Sequence, residues 1–555
     1  MRFPVSIGTI PPGNVVLIAD TASDLPDGLS LSPPEETAVS ASGTTPSSDF
    51  SAANTKLAGG IPSAASTSSP AATSSGADTA ANNPQGPVLA IRTNPNDPYG
   101  KVLIVTGGSA DQTIEAAQAL AMGWSGIQGP TSQITSLKLP KPRQPDDAPR
   151  WAQTGSKVEL WDYSSAQSLQ GDGSVPLATY YRLPPDLYFG NTKNVLLHLD
   201  YRYDSIPIGP ISSMQVESND AYLGSVPLVP GKAASKETKV NLAIPVVNLR
   251  PFSNSLRFNF TFQLKTAGGC KNTTPANMMG AILRSSYIDL RGFPHWAALP
   301  NLELFANAGF PFTRYADLSH TTFVLPNQPT TKEIELYLTL IAHLSAQTGM
   351  AGLRVTVAYP NAMRRGATTN FLVISTGQDN AGLAKIDKNM PVSVGSTGLT
   401  VRDTSGFFTR FHHAWWMLST HDESPSGELG TIGIPDALIE QIESPFKSGR
   451  SIVIFDVKDR ADYDPLMARF LDNAQSSAIN GTVTIMHGQV FQSYRIGNNV
   501  FHVGILPWWT ALGIWFTQVP WMVDLAVLAI SFVFAIWIRG WLRGKARRRL
   551  QLLED

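Results

Sequence analysis

KVLIVTGGSADQTIEAAQALAMG, Lys101 to Gly123, joins an apolar run to a pair of glycines and then to a helical repeat. Val102 to Val105 form an unbroken apolar strand, and Gly107 and Gly108 make the turn that follows it. The apolar side chains of the next segment share one helical face: Ile114, Ala117, Leu120 and Ala121. A strand, a glycine turn and a helix form the repeating unit of a parallel α/β sheet. The stretch therefore predicts an α/β domain.

Two further apolar runs place this unit inside a larger domain. Val15 to Ala19 and Val88 to Arg92 are strand-like, and they flank a segment dominated by Ser, Ala, Thr, Gly and Pro. That segment, residues 32–86, holds too little apolar surface to offset the entropy lost on ordering, so we predict that it is disordered. Residues 1–135 are thus predicted to form about half of an α/β domain, with an insertion.

The pattern changes to short alternating runs over residues 140–326. Runs such as VLLHLDYRYD (Val195 to Asp204) and LRFNFTFQL (Leu256 to Leu264) are bounded by Gly, Pro, Asn and Asp. Several such runs with no good helix between them predict an antiparallel β-sandwich.

The helical period returns after this region and predicts a second α/β domain over residues 331–502. Its predicted helices are Lys332 to Gly349, Pro435 to Ser444 and Asp462 to Ala474. Apolar runs ending at Tyr359, Thr376 and Val457 are predicted to be its strands. The fold class is therefore multidomain α+β.

An aromatic segment follows, over residues 505–519. With Pro507 as the first helical residue, one face carries five large apolar side chains: Trp508, Leu512, Trp515, Phe516 and Val519. Tryptophans, Trp509 among them, favour the boundary between lipid and water, so we predict an interfacial amphipathic helix. A core helix of the preceding domain is the alternative interpretation.

Residues 521–538, from Trp521 through Trp537 to Ile538, are apolar with one charge, Asp524. Such a helix is roughly 27 Å long, which is enough to cross a bilayer. A dense basic flank follows: Arg539, Arg543, Lys545, Arg547, Arg548 and Arg549. Basic flanks favour the cytoplasmic side. We predict a single-pass inner-membrane protein with a cytoplasmic tail (539–555) and a periplasmic bulk; a buried core helix is the alternative. No export leader is visible at the amino end, so we expect a truncated chain.

Composition excludes several classes of partner and site. The formal net charge is −1, which implies no nucleic-acid partner, and the single cysteine, Cys270, excludes an internal disulfide framework. No HExxH motif and no paired cysteine ligands occur, and the nine histidines, including His412 and His413, are scattered, so we predict no metal site and no catalytic site. Gly107 and Gly108 predict a tight turn rather than a phosphate site.

The segment DESPSG, Asp422 to Gly427, matches the second half of the pattern with which PilZ domains bind cyclic di-GMP. The RxxxR pairs that would complete the pattern, Arg539/Arg543 and Arg543/Arg547, lie across the predicted membrane from it. We therefore interpret DESPSG as a chance turn sequence and predict no bound cofactor.

The sandwich region holds aromatic side chains near polar neighbours, Tyr163 and Tyr180 among them. Aromatic faces suit the C–H faces of pyranose rings. The candidate glucan contacts are Trp161, Tyr181, Tyr188 and Trp296.

Five strings carry a resemblance to a known family. They are APRW (148–151), RLPPDLY (182–188), the Tyr201–Arg202 pair, NLELFANAGFPFTRYADLSHT (301–321) and QVFQSYRIGNNVFHVGILPWW (489–509). In these segments the chain closely resembles the periplasmic B subunit of bacterial cellulose synthase. The resemblance covers nearly everything except the Ser/Ala-rich insertion.

The resemblance implies two jelly-roll-like carbohydrate-binding sandwiches alternating with two flavodoxin-like domains, then an amphipathic helix and one membrane span. Compared with that pattern, we expect this chain to lack the first sandwich and the opening half of the first flavodoxin-like domain. The implied subunit is not an enzyme: a catalytic partner makes β-1,4-glucan and extrudes it, and the periplasmic domains receive it. The family carries a cyclic di-GMP-binding name, but the receptor resembling PilZ belongs to the catalytic partner.

By the same resemblance, the anchor segment packs on the catalytic subunit among inner-membrane lipids. Three alternatives remain open at this point: an inactive truncated paralogue, a free-standing membrane-anchored glycan-binding protein, and a glycan-processing enzyme. The enzyme would place two carboxylates about 5 to 10 Å apart in a cleft.

Overall fold

The structure is a computed structural model that describes residues 5–26, 28–31, 86–163, 169–204, 212–229, 237–263, 278–377, 381–395, 398–402, 433–497, 500–518 and 520–551. Cys270, His412, His413, the segment Asp422 to Gly427 and nearly all of the Ser/Ala-rich insertion lie outside these ranges, so the predictions made for them stay predictions. The chain divides into two compact units, Ser6–Pro140 and a larger one that contains Lys141–Asp555.

The smaller unit is a four-stranded sheet with one helix. Its elements are β1 (Val15–Ile18), β2 (Val88–Asn94), β3 (Asp97–Thr106), α1 (Ala110–Ala121) and β4 (Thr131–Gln133). The strand order is β1-β3-β2-β4. Only β1 and β3 are parallel, whereas β2 runs antiparallel to both of its neighbours. The expected strand–turn–helix unit is present, but the sheet is mixed rather than parallel.

Helix α1 packs against the sheet with only part of the face that we predict: Ala117 and Leu120 contact the core cluster, whereas Ala121 is exposed. Ala116 and Ala119 are buried and pack in the cluster that contains Leu89 and Val105, whereas Ile114 is 55% exposed. The small side chains of Ala116 and Ala119 let the helix approach the sheet closely. At the start of α1 the side chain of Gln112 accepts a hydrogen bond from the Gly108 N–H, so the glycine pair forms a tight turn, as expected.

The larger unit begins with two antiparallel sheets. One has the order β10-β9-β12-β7 and the other β5-β14-β8-β13-β6, with β11 also paired to β8. Their bounds are β5 (Lys157–Glu159), β6 (Gln170–Gly171), β7 (Leu177–Arg182), β8 (Asn194–Tyr203), β9 (Ser213–Ser218), β10 (Ala221–Pro227), β11 (Thr238–Pro245), β12 (Ser253–Thr261), β13 (Gly280–Ile282) and β14 (Tyr287–Asp289).

Alternating side chains build the core of this sandwich. On β12, Leu256, Phe258 and Phe260 are buried while Arg257 and Asn259 face outward. The buried residues join Leu197 and Leu199 of β8 in one cluster that both sheets share. Each large apolar side chain buried in this way contributes roughly 1.5–3 kcal/mol. The predicted antiparallel sandwich is thus present.

A seven-stranded sheet forms the second layered region, in the order β17-β16-β18-β22-β21-β23-β24. Its strands are β16 (Thr321–Val324), β17 (Thr356–Ala358), β18 (Asn370–Thr376), β21 (Ala437–Glu443), β22 (Ser451–Val457), β23 (Val483–His487) and β24 (Val490–Tyr494). The helices beside it are α2 (Leu302–Ala308), α3 (Thr331–Thr348), α4 (Tyr463–Phe470) and α5 (Asn473–Ser476).

Half of this sheet is parallel and half is antiparallel. Strands β17, β16, β18 and β22 are parallel, whereas β21, β23 and β24 alternate in direction. Aromatic side chains bind the helices to one face: Phe305 of α2 lies 5.9 Å from Phe455 of β22, and Phe470 of α4 lies 5.7 Å from it, between ring centroids. An α/β layering is present, and the flavodoxin-like topology stays a prediction.

Two predictions about this region are wrong. Pro435 to Ser444, which we predicted to be a helix, contains strand β21, because a position between β22 and β23 buries both of its faces. The predicted boundary between sandwich and α/β domain, near residues 326–331, also fails, because β16 (Thr321–Val324) pairs with β17 and β18. A short apolar run can belong either to a sandwich or to an α/β sheet, so periodicity alone assigned β16 to the wrong region.

The remaining strands form two two-stranded sheets, and the terminal helices follow them. Strand β15 (Trp296–Leu299) pairs with β25 (Phe501–Gly504), and β19 (Val392–Gly395) pairs with β20 (Gly398–Val401). After β25 come α6 (Trp508–Gln518) and α7 (Pro520–Gln551).

Candidate functional site

The terminal helices expose several of the aromatic side chains that the structure describes. In α6, Trp508 is 73% exposed and Trp509 is 63% exposed, and Leu512 is exposed beside them. The two indole rings meet edge to face, 5.8 Å apart between centroids. None of these three side chains packs into the α/β core, which argues against the core-helix alternative. The side chains of Trp515 and Phe516 lie outside the described residues.

Helix α7 is long and apolar enough to cross a membrane. Its candidate span, Asp524–Lys545, has 22 residues and contains an 18-residue window with a mean hydropathy of 2.0, none of which is buried inside the protein. Trp537, Arg539 and Arg543 are all exposed on it. The helix continues beyond the predicted span through the basic residues, and the side chain of Trp521 is not described.

Two of the predicted glucan contacts belong to the sandwich interior. Tyr181 is only 2% exposed, so a sugar could not reach it without opening the core, and the prediction fails for this residue. Trp161 is half-buried and packs against the same core, and its indole N–H donates to the carbonyl of Ile282 at 2.9 Å.

The other two predicted contacts lie together at the end of the sandwich. Tyr188 and Trp296 meet edge to face with ring centroids 5.0 Å apart. Trp296 also stacks on His502 of β25 at 4.6 Å. Both aromatic residues are half-buried, and their mutual contacts join the sandwich to the strand that precedes α6. Their role in binding glucan stays a prediction.

The solvent face of the sheet β10-β9-β12-β7 is a better candidate surface. Tyr222 of β10 lies opposite Glu217 of β9, which lies opposite Arg257 of β12. Two residues earlier on β12, Ser255 lies opposite Tyr180 of β7. Tyr222 is 62% exposed and Tyr180 is 53% exposed. Three strand spacings of about 4.8 Å and an offset of two residues along the strands separate Tyr180 from Tyr222. The two residues therefore lie roughly 16 Å apart.

We call this surface the tyrosine face: Tyr180, Glu217, Tyr222, Ser255 and Arg257, with Gln215 and Asn259 continuing it. It combines two exposed rings with amide, hydroxyl and charged groups, which is the chemistry that holds a polyhydroxylated ring. The sequence pattern indicated Tyr180 as an aromatic residue of the sandwich region, but it did not indicate Tyr222. Strand alternation in β9 and β10 could have placed Tyr222 on the outward face with Glu217.

Buried carboxyl groups lie near the carboxyl ends of β18 and β22. A cavity of about 590 Å³ there is lined by Asp387, Asp456 and Lys458, among other residues. Burial raises the pKa of Asp456 to about 6. Nearby in β21, burial also raises the pKa of Glu440 to about 8. Both groups therefore retain protons at pH values where exposed carboxyl groups have lost them.

One further cluster joins residues that are far apart in the sequence. Asp146, Asp186 and His295 place potential ligand atoms within 4.8 Å of one another. Burial, and then the neighbouring Asp186 carboxylate, raise the pKa of Asp146 to about 7. We had predicted that the histidines are scattered, and nothing local in the sequence signals that these three groups converge.

The elements and the exposed helix define a sheet-rich, multidomain protein with one candidate membrane helix. Three domain families from a single protein family match successive parts of it. Residues 1–134 match "Cellulose synthase BcsB, first FD domain", residues 157–287 match "Cellulose synthase BcsB, second CBM domain", and residues 295–455 match "Cellulose synthase BcsB, second FD domain". The chain belongs to the BcsB family of cellulose synthase proteins.

Individual relatives carry names that refer to a nucleotide. A "Cyclic di-GMP-binding protein" of Xanthomonas axonopodis pv. citri is 31% identical over 494 residues, which cover 85% of this chain and 62% of the relative. Proteins of the same name from Pseudomonas fluorescens and Escherichia coli are each 29% identical and are covered to 64% and 61%. The chain therefore spans less than two thirds of the length of these relatives.

Among solved structures, a family 35 carbohydrate binding module from an environmental isolate resembles part of the chain. The similarity covers 26% of this chain and 89% of the module, at 13% identity and a TM-score of 0.16. A TM-score of this size is too low to define a fold.

Proposed function

We propose that this chain is a non-catalytic, membrane-anchored subunit of a bacterial cellulose synthase, and that it supports the catalytic subunit and receives the nascent β-1,4-glucan. The observation that carries the proposal is the succession of three domains of one cellulose synthase family, followed by an exposed apolar helix. In this reading the flavodoxin-like domains act as scaffolds and the sandwich meets the polymer.

The anchor has the properties that a partner helix bundle requires. The apolar run 521–538 is roughly 27 Å long, so it can cross the hydrocarbon core of the inner membrane. The basic side chains at its end, such as Arg539 and Arg543, favour the cytoplasmic side, which puts the domains in the periplasm. Trp508 and Trp509 of α6 then lie at the outer interface, where they are available to pack on the catalytic subunit.

We place the glucan on the tyrosine face rather than on the four aromatic residues first predicted. Tyr180 and Tyr222 are exposed on one side of the same sheet, whereas Tyr181 is buried and Trp161 packs on the core. The surface between the rings carries polar groups that can exchange hydrogen bonds with hydroxyl groups of the sugar. Tyr188 and Trp296, at the end of the sandwich, remain secondary candidates.

The cyclic di-GMP in the names of the relatives requires a separate proposal. We propose that this chain responds to the nucleotide through its catalytic partner and does not bind it directly. In the proposed topology, Asp422 to Gly427 and the RxxxR pairs of the tail lie on opposite sides of the membrane. They therefore cannot form one binding site.

Reconstitution of cellulose synthesis tests the proposed function. The catalytic subunit is placed in liposomes with the full chain or with a chain that lacks residues 505–555. We expect the deletion to abolish synthesis of β-1,4-glucan from UDP-glucose, because the partner loses the packing of α6 and α7. Unchanged synthesis would contradict the role of the anchor.

A matched control separates packing from simple tethering. It replaces residues 524–538 with an unrelated apolar helix of the same length and keeps the basic flank, so the chain stays in the membrane with the same orientation. If the specific side chains matter, this variant also loses activity. Failure of the full chain to co-purify with the catalytic subunit would instead favour a free-standing glycan-binding protein.

A further inference from the structure

Asp146, Asp186 and His295 come from three separate segments of the larger unit. Asp146 precedes the sandwich, Asp186 follows β7, and His295 immediately precedes β15. His295 Nδ1 lies 2.8 Å from Asp186 Oδ1 and 3.8 Å from Asp146 Oδ2. One imidazole nitrogen and two carboxylates therefore face a common point.

Hydrogen bonds leave part of this cluster unsatisfied. The side chain of Asp186 has no exposed surface, and when both carboxyl groups are ionised neither its Oδ2 atom nor Oδ1 of Asp146 has a hydrogen-bond donor. Arg314 is the nearby cation, but its Nε lies 3.4 Å from the other oxygen of Asp146, Oδ2. Buried carboxylate oxygens without a partner are costly, and they mark a place where an unseen ion can bind.

The second nitrogen of His295 is already held in the way that metal-binding histidines require. Nε2 lies 2.9 Å from the hydroxyl of Thr154. When Nε2 carries the proton and donates it to that hydroxyl, the lone pair of Nδ1 points at the two carboxylates. In a metal-binding histidine, the ring nitrogen that does not bind the metal typically donates a hydrogen bond, and this bond fixes the tautomer.

We propose that Asp146, Asp186 and His295 bind a divalent cation of the zinc type. A set of one imidazole and two carboxylates suits Zn²⁺, whereas Mg²⁺ and Ca²⁺ prefer oxygen ligands alone. The ion takes the place of the proton between Nδ1 and Asp186 Oδ1, and its charge compensates both buried carboxylates.

The position of the site indicates a structural role. The backbone N–H of Trp296 donates to the carbonyl of Asp186 at 2.6 Å, and the N–H of Ile505 donates to the carbonyl of His295 at 2.9 Å. Ile505 lies three residues before α6. A cation here ties the segment before the sandwich to the sandwich itself and to the chain that leads into the membrane anchor.

Zinc binding by the full chain tests the proposal. The detergent-solubilised protein, with any affinity tag removed, is treated with a chelator and titrated with ZnCl₂ or MgCl₂ in a calorimeter. We expect one saturable equivalent of Zn²⁺ and no comparable binding of Mg²⁺, and we expect Zn²⁺ to raise the thermal unfolding midpoint because it binds the folded state. Absence of a saturable zinc equivalent in the wild-type chain overturns the proposal.

Substitutions locate the site. Asp186→Asn and His295→Gln should each weaken zinc binding at least tenfold and remove the zinc-dependent rise in midpoint. The control Asp289→Asn alters a carboxylate of the same sandwich that pairs with Arg291, and it should bind zinc like the wild type. Wild-type zinc binding in both site variants overturns the assignment.

The visible spectrum of the Co²⁺-loaded wild-type chain gives an answer even if the variants fail to fold. Absorption bands of Co²⁺ bound by a small number of nitrogen and oxygen ligands support the site. The spectrum of fully hydrated Co²⁺ contradicts it.

Discussion

Glu440 carries an ionisable side chain in the middle of β21 with no exposure to solvent. Its Oε1 atom accepts a hydrogen bond from the backbone N–H of Val392 at 3.1 Å, while Oε2 has no partner. Burial is the main cause that raises the pKa of this carboxyl group to about 8, from about 4.5 in the unfolded chain. The folded protein therefore holds a proton here that the unfolded chain releases between those two values.

We predict that Glu440→Gln stabilises the protein increasingly as the pH rises. The folded state binds more protons than the unfolded state between about pH 4.5 and pH 8, so this group lowers stability as pH rises through that window. Glutamine keeps the acceptor for Val392 and has no proton to lose. The difference in unfolding free energy between variant and wild type should grow by on the order of 2 to 4 kcal/mol from pH 5 to pH 8.

Denaturant unfolding measured at several pH values checks this prediction. The exposed carboxylate of Glu159 on β5 provides the control, because Glu159→Gln should leave the pH profile of stability close to that of the wild type. A constant difference between Glu440→Gln and the wild type across the range would show that Glu440 is ionised in the folded protein.

At the level of secondary-structure elements, one face of a strand packs in the core while the other face is free to bind a ligand. Strand β7 buries Tyr181 and exposes Tyr180, although the two residues are adjacent. Sequence patterns identified both as aromatic residues of a sandwich. The choice between them depends on which face of β7 lies on the opposite sheet, and this is a tertiary property.

We predict that the double variant Tyr180→Ala/Tyr222→Ala binds cellooligosaccharides at least tenfold more weakly than the wild type, a loss of about 1.4 kcal/mol or more. Removal of the two rings leaves the polar groups of the tyrosine face but no surface on which a pyranose can stack. Affinity electrophoresis or calorimetry with the detergent-solubilised chain measures the loss.

Tyr359 supplies the matched control for the tyrosine face. It is an exposed tyrosine that follows β17 in the α/β region, outside the sandwich. Tyr359→Ala should retain wild-type binding of the sugar. Equal losses in both variants, or no loss in either, would contradict the assignment of the glucan to this sheet.

At the scale of the whole molecule, the topology that we propose depends on one candidate membrane helix. Asp524–Lys545 is the candidate span, and its basic continuation favours the cytoplasm. We predict that a reporter active only outside the cytoplasm is active when fused after residue 500 and inactive when fused after residue 551. The fusions are assayed in the native host, and a cytoplasm-specific reporter should give the opposite pattern. An inactive reporter after residue 500 would place the sandwich in the cytoplasm, where extruded glucan is absent.

Local sequence patterns were enough to predict that the chain contains a sandwich, α/β layers and a helix that suits a membrane, although not the boundary between sandwich and α/β region. These properties follow from local periodicity and hydropathy, which neighbouring residues along the chain express directly. Distinctive strings such as NLELFANAGFPFTRYADLSHT also carried the resemblance to the family that the domain matches then showed.

The tertiary structure alone decided the features that depend on contacts between distant segments. Pro435 to Ser444 has a plausible helical pattern, yet its place between β22 and β23 makes it a strand. The exposure of Tyr222 and the burial of Tyr181 follow from the packing of two sheets. The meeting of Asp146 and His295 joins positions about 150 residues apart, and no local pattern encodes it, because side chains converge only when the whole chain has folded.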